Sequence, residues 1–177
     1  MTVMKNKIIK TESVENTWKV AEDFTNLCNN IKRKRALIVA LKGDLGSGKT
    51  TFTQGVAKAL GIKQKITSPT FVIMKKYKIS LRSSVVSSQK KLKNLKTQDL
   101  ILNTLVHIDA YRLKIGEDLK VLGWSEIIKN PKNIVLIEWP ENVKEAMPKK
   151  YVKVEFKHNG GDERKINIKN IKDFCFN

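Results

Sequence analysis

Residues 43–50 read Gly-Asp-Leu-Gly-Ser-Gly-Lys-Thr, a full G-x-x-x-x-G-K-[ST] motif. This motif can work only at the junction of a buried strand and a helix. Both flanks comply: Ala-Leu-Ile-Val-Ala-Leu at 36–41 is a continuous apolar run that predicts a strand, and residues 51–60 carry helical periodicity. Glycines at 43, 46 and 48 open backbone conformations closed to side chains, so that successive N–H groups can turn inward around a β-phosphate. The N-terminus of the following helix adds its positive field. Lys49 is placed to reach the β- and γ-phosphates, the Thr50 hydroxyl to ligate Mg²⁺, and Thr51 to cap or to meet the α-phosphate. Gly43, Leu45, Gly46, Ser47, Gly48, Lys49, Thr50 and Thr51 are therefore the expected nucleotide-binding residues, and a nucleoside triphosphate with Mg²⁺ the expected ligand.

The rest of the chain predicts one α/β domain over residues 1–177 around this loop, with a mostly parallel central sheet, flanking helices and a C-terminal antiparallel hairpin. At 177 residues the chain can bury a core without disulfides. Cys28 and Cys175 stand far apart with no Cys or His at ligand spacing, which argues against a zinc site or redox pair. The opening residues lack the apolar core of a leader, and no apolar run is long enough to span a bilayer, so a cytoplasmic protein without a membrane role is expected. The net charge of +18 invites a nucleic-acid partner. Its lysines are dispersed along the chain, however, and no RNA-binding signature with interleaved aromatics accompanies them.

Along the chain, residues 7–10 predict a short strand. Ser13 is a fair N-cap for a helix carrying Val14, Trp18, Ala21, Phe24, Leu27, Cys28 and Ile31 on its core face. Gly61 stops the helix after the loop, and residues 71–79 are strand-like. Residues 80–103 are rich in Ser, Lys and Gln and predict a polar, basic excursion. Strands are expected at 105–110 and 134–137, a helix at 117–128, and a hairpin from 151–156 and 165–168 around Asn159-Gly160-Gly161.

Two strand ends carry chemistry. In Leu-Val-His-Ile-Asp-Ala the two-residue period sets His107 and Asp109 on one face, at the end where open α/β sheets meet ligands. Asp109 suits a role beside an attacking water or Mg²⁺, or alternatively a strand-end cap on a turn. His107, among apolar neighbours, suits a hydrogen-bonded structural role. The run Asn-Ile-Val-Leu-Ile-Glu-Trp-Pro-Glu at 133–141 delivers Glu138 as a Walker B type of carboxylate for the metal. Trp139 is placed to wall the nucleotide or seat a partner, and equally to act as a partly buried core aromatic. Ser68-Pro69-Thr70-Phe71 lies where phosphate-loop proteins carry their γ-phosphate-sensing segment.

In this order, Gly-Asp-Leu-Gly-Ser-Gly-Lys-Thr-Thr-Phe, Ser-Pro-Thr-Phe, His-Ile-Asp-Ala-Tyr-Arg-Leu and Ile-Glu-Trp-Pro-Glu resemble the bacterial TsaE (YjeE) family. The resemblance runs from about Ser13 to the hairpin and breaks only at the excursion. It implies an ATPase of tRNA threonylcarbamoyladenosine formation, acting on adenosine 37 of tRNAs that read codons beginning with A. In that scheme TsaC supplies threonylcarbamoyl-adenylate, TsaD transfers the group, and ATP use by TsaE sustains turnover of the TsaB–TsaD complex. The resemblance gives Lys49 and Thr50 to phosphates and Mg²⁺, Glu138 to the metal, Asp109 to hydrolysis and Trp139 to the nucleotide's side. It also makes Val14 to Thr17 a wall for the base and the hairpin near Gly161 a cover over it. The excursion is longer than the family pattern. The basic surface would strengthen an encounter with tRNA or an acidic partner.

Two other classes compete on the same residues. A nucleoside or small-molecule kinase shares the loop but needs an acceptor pocket and a basic lid, for which the excursion holds Arg82 and several lysines. A non-enzymatic RNA-binding module accounts for the charge but leaves the loop, Asp109 and Glu138 idle. A GTPase is disfavoured, because neither Asn-Lys-x-Asp nor a following Asp-x-x-Gly occurs.

Overall fold

The computed structural model describes residues 7–29, 33–79 and 102–171. The excursion at 80–101, together with Ile31, Lys32 and Cys175, lies outside the described residues. The described elements are β1 (Lys7–Thr11), α1 (Val14–Asn29), β2 (Leu37–Lys42), α2 (Lys49–Ala59), β3 (Met74–Lys78), β4 (Thr104–Asp109), α3 (Glu117–Lys120), α4 (Trp124–Lys129), β5 (Asn133–Glu138), β6 (Val152–His158) and β7 (Arg164–Lys169). Short 3-10 turns occupy Ala110–Arg112 and Pro140–Ala146.

All seven strands join one sheet in the order β1-β7-β6-β2-β5-β4-β3. The expectation of a mostly parallel sheet is corrected: it is mixed. β6/β2, β2/β5 and β5/β4 pair in parallel, whereas β1/β7, β7/β6 and β4/β3 are antiparallel. The two central strands, β2 and β5, pair in parallel on both sides. β2 is apolar up to Lys42 and β5 between Asn133 and Glu138, and both core layers cover them. The flanking strands alternate, as β6 does with Val152, Val154 and Phe156 inward and Lys153, Glu155 and Lys157 outward.

One layer holds α1 and α2 against Leu37, Val39, Leu41, Leu136 and Val154. The other holds α3, α4 and the Pro140–Ala146 turn against Ile38, Ala40, Val106, Ile108 and Ile137. Phe52 of α2 anchors the first layer, with Phe24 and Phe156 each 5.5 Å away between ring centroids in tilted and edge contacts. This fixes α2, and with it the loop residues at its start, against the sheet. α1 and α2 cross closely because Gly55 has no side chain: a Cβ there would lie 2.7 Å from Ala21 Cβ and 2.9 Å from Trp18 Cα. Gly55→Val is expected to destabilise the fold by about 1–3 kcal/mol through overpacking, read as a lower midpoint of chemical unfolding at unchanged slope.

Three local expectations shift. The helix predicted over 117–128 is broken into α3 and α4 because Gly123 takes a left-handed conformation, φ 75°. β3 starts at Met74 instead of residue 71, since Val72 and Ile73 donate their N–H groups to the Pro69 carbonyl in a turn and Ile73 has φ 64°. Val14 does not join the core but is 45% exposed at the start of α1. The Ser13 cap is present, with Asn16 N–H donating to Ser13 Oγ at 3.1 Å. No described helix is long and apolar enough to cross a membrane.

Candidate functional site

The loop at 43–50 leaves the end of β2 and enters α2. Its shape depends on glycine at two positions: Gly48, at the helix cap, has φ 103°, and a Cβ on Gly43 would meet the Phe156 carbonyl oxygen at 2.7 Å. No side chain caps α2. The N–H groups of its first turn lack intrahelical partners and face a cleft of about 350 Å³. That is the construction of an anion site. Val14, Thr17, Leu45 to Thr51, Asp109, Glu138 and Trp139 line this cleft, whereas Glu15, Asn16, Gly161 and Gly43, whose carbonyl accepts from Lys49, do not.

Lys49 Nζ donates to the carbonyls of Gly43 at 2.7 Å and Asp44 at 2.8 Å, and it sits 4.3 Å from the centre of the Trp139 ring. The ammonium is thus held inside the loop before any phosphate arrives. Burial pushes its pKa below the ordinary 10.5, against the opposing pull of Glu138, Asp109, Glu141 and Asp44. Between that lowered value and 10.5 the unfolded chain binds the proton more tightly, so this residue's contribution to stability rises with pH across the window.

Register brings the two acids together. Asp109 ends β4 directly beside Glu138 ending β5, both on the face that carries α2. Glu138 is buried, and its Oε1 accepts from Thr50 Oγ1 at 3.0 Å and lies at hydrogen-bond distance, 2.9 Å, from His107 Nε2. The structural role expected for His107 is what the geometry shows, since it is fully buried with its other ring nitrogen unpartnered. Asp109 makes the strand-end cap expected of it. Oδ1 caps the Tyr111 N–H at 3.0 Å, while Oδ2 accepts from Ser68 Oγ at 2.7 Å and from Thr70 Oγ1, tying Ser-Pro-Thr to the cleft.

Trp139 lies between the second core layer and the cleft. It is half-buried against the second core layer, and a left-handed backbone, φ 57°, turns its ring toward Lys49 and Tyr111, the latter 5.2 Å away between centroids. For a bulky residue this conformation is uncommon and strained.

Nucleotide and metal both fit these residues. The uncapped start of α2 and Lys49 suit a polyphosphate, and Thr50 with Glu138 offer one hydroxyl and one carboxylate to a cation. Among the described residues no group of three His, Cys, Asp or Glu could cage a metal ion. That donor set matches Mg²⁺, which keeps waters and substrate phosphates among its ligands.

Sequence reasoning missed Arg164, Asp162, Tyr111 and Ser13, which also line the cleft. Arg164 opens β7, and its Cδ lies 3.3 Å from where a Gly48 Cβ would stand. Its presence follows from the β6/β7 hairpin folding back toward the loop, and the strand period alone signals which face it takes. Gly161, expected to cover the base, accepts from Arg164 Nη1 at 3.2 Å through its carbonyl.

A phosphate-loop strand and helix, flanked by acids at the ends of two neighbouring parallel strands, place the chain in the class of α/β proteins built around a phosphate-binding loop. Residues 11–166 match the family model for threonylcarbamoyl adenosine biosynthesis protein TsaE. The tRNA threonylcarbamoyladenosine biosynthesis protein TsaE of Bacillus subtilis is 34% identical over 129 residues, 73% of this chain and 66% of that protein, just under two thirds of its length. The protein of the same name from Rickettsia bellii is 35% identical over 134 residues, 75% and 77% of the two chains. The crystal structure of Bacillus subtilis YdiB superposes with a TM-score of 0.65 at 27% identity, covering 98% of this chain and 92% of that one. The chain belongs to the TsaE family of tRNA threonylcarbamoyladenosine biosynthesis.

Proposed function

We propose that this protein is a Mg²⁺-dependent ATPase whose cycle sustains TsaB–TsaD in forming the threonylcarbamoyl group on adenosine 37 of tRNAs reading codons beginning with A. It would work in the cytoplasm as one ATPase domain. The observation that carries the reading is the facing of two walls across one cleft: Lys49 and the uncapped start of α2 on one side, Asp109 and Glu138 on the other.

In this reading the backbone N–H groups of the loop hold the β-phosphate, and Lys49 gives up a carbonyl contact to reach the γ-phosphate. Thr50 and Glu138 hold Mg²⁺, which when bound neutralises charge developing between the β- and γ-phosphates. Asp109, with Ser68 and Thr70 on its Oδ2, accepts hydrogen bonds where an attacking water would approach, so the Ser-Pro-Thr segment can register the γ-phosphate through the same carboxylate. Trp139 and Tyr111 wall the phosphates from solvent, while Val14 and the hairpin near Gly161 border the base.

The test is ATP hydrolysis by the purified chain with and without TsaB–TsaD, alongside tRNA modification by the same mixture. Hydrolysis raised by TsaB–TsaD, with repeated rounds of modification that need this chain, is expected. Phosphate appearing on a small acceptor instead of water would make it a kinase, and nucleotide binding without phosphate release in any mixture would make it a binding module.

A further inference from the structure

β1, β7 and β6 form the part of the sheet whose outer face no described helix covers. Inward, Ile9, Ile166 and Phe156 pack on the α1/α2 core. Outward, the register sets Lys10 opposite Lys165 and Lys165 opposite Lys157, so three lysines stand in a row across three adjacent strands. With strands about 4.8 Å apart, the row spans about 10 Å. Like charges directly opposite one another destabilise a sheet.

The neighbouring pair shows how such repulsion is relieved. Lys153 and Lys169 also face each other, but Glu155 bonds both at 2.7 Å. Among the described residues the row has no acid bonded at its centre; Glu163 attracts Lys10 and Lys165 from beyond hydrogen-bonding distance. The row's one ion pair among the described residues is at the edge, where Lys10 lies 4.0 Å from Glu163. Lysine on an edge strand guards against strand addition, and this accounts for Lys10 on β1. It does not account for Lys165, which lies on β7 between two paired strands.

We propose that the row Lys10, Lys165 and Lys157 is a binding site for the phosphodiester backbone of RNA. A polyanion supplies the neutralising charge that the sheet lacks, and released counterions drive the association. The choice of RNA among polyanions rests on the proposed role in tRNA modification. The row lies at the cleft end of the sheet, since the residue before Lys165 is Arg164, whose side chain alternates to the inner face and enters the nucleotide cleft. RNA on the outer face and nucleotide on the inner one would thus be held by consecutive residues of one strand.

The experiment measures binding of an unmodified tRNA transcript to the full chain across a salt series, without nucleotide. The triple variant Lys10→Gln, Lys157→Gln, Lys165→Gln is compared with a control of equal charge, Lys63→Gln, Lys129→Gln, Lys149→Gln, drawn from exposed lysines on other elements. The row variant should lose about tenfold or more in affinity near 0.1 M salt and reduce the slope of log affinity against log salt by about 2–3. It should melt no lower than the parent, and the control should keep most of both quantities. Lys165→Gln alone, with a slope reduced by about 0.9, serves if the triple variant does not fold. Equal losses in row and control variants would show diffuse attraction by the net charge and overturn the proposal. So would an unchanged slope, or row-dependent binding to phosphatidylserine vesicles with none to tRNA. ATP hydrolysis stimulated by TsaB–TsaD is read separately, so failure of the ATPase assignment is distinguishable from failure of this site.

Discussion

Lys49→Ala is expected to lose productive ATP binding. The side chain is the loop's cationic donor, and its removal takes away a charge-assisted hydrogen bond to the γ-phosphate while the backbone cradle around Gly46 and Gly48 remains. A hydrogen bond to a charged group contributes about 1.5–3 kcal/mol, so affinity should fall by about 10- to 100-fold. Hydrolysis should fall further, by about 10²–10³, because negative charge grows near the same ammonium in the transition state. The variant also frees the Gly43 and Asp44 carbonyls and the Trp139 ring. A thermal melt therefore accompanies the calorimetric titration with ATP and Mg²⁺, to separate lost binding from lost fold. Parental affinity together with parental hydrolysis would remove Lys49 from the account.

Asp109→Ala and Glu138→Ala should fail differently. Asp109 hydrogen-bonds outside the loop. It holds Ser68, Thr70 and the Tyr111 N–H, so its loss should lower turnover by about 10²-fold or more while ATP still binds. Glu138 sits at the Thr50 hydroxyl, so its loss should raise the Mg²⁺ concentration needed for half-maximal nucleotide binding. It should also destabilise the fold by about 1–3 kcal/mol, because Thr50 Oγ1 and the buried His107 Nε2 lose their partner. Superimposable Mg²⁺ titrations for the two variants would erase the division of labour.

The loop, its strand and its helix were legible because the motif dictates all three from consecutive residues. Asp109 and Glu138 were legible as strand ends because apolar runs precede them, and the two-residue period carried His107 to the same face. What the residues could not announce was pairing direction. Lys75 and Lys76 read alike whether β3 joins β4 parallel or antiparallel, and the observed register is antiparallel. Gly123 was visible, but inside an otherwise periodic helix a glycine is tolerated as often as it breaks one, and only the packing of Leu119 and Trp124 into the second core layer fixes the break. Arg164 and Tyr111 reach the cleft through contacts distant in the chain, which no local pattern records. The row of Lys10, Lys165 and Lys157 is likewise invisible in composition, where those lysines are merely part of a dispersed excess.

The central claim is that ATP hydrolysis at this cleft drives repeated modification. Its most direct measurement is threonylcarbamoyladenosine formed per TsaB–TsaD complex, with TsaC, tRNA and ATP in excess, in the presence of either the parent chain or Asp109→Ala. The account predicts many modified tRNAs per complex with the parent and about one or fewer with Asp109→Ala, although both chains bind ATP. Equal multiple turnover with the two proteins would contradict it.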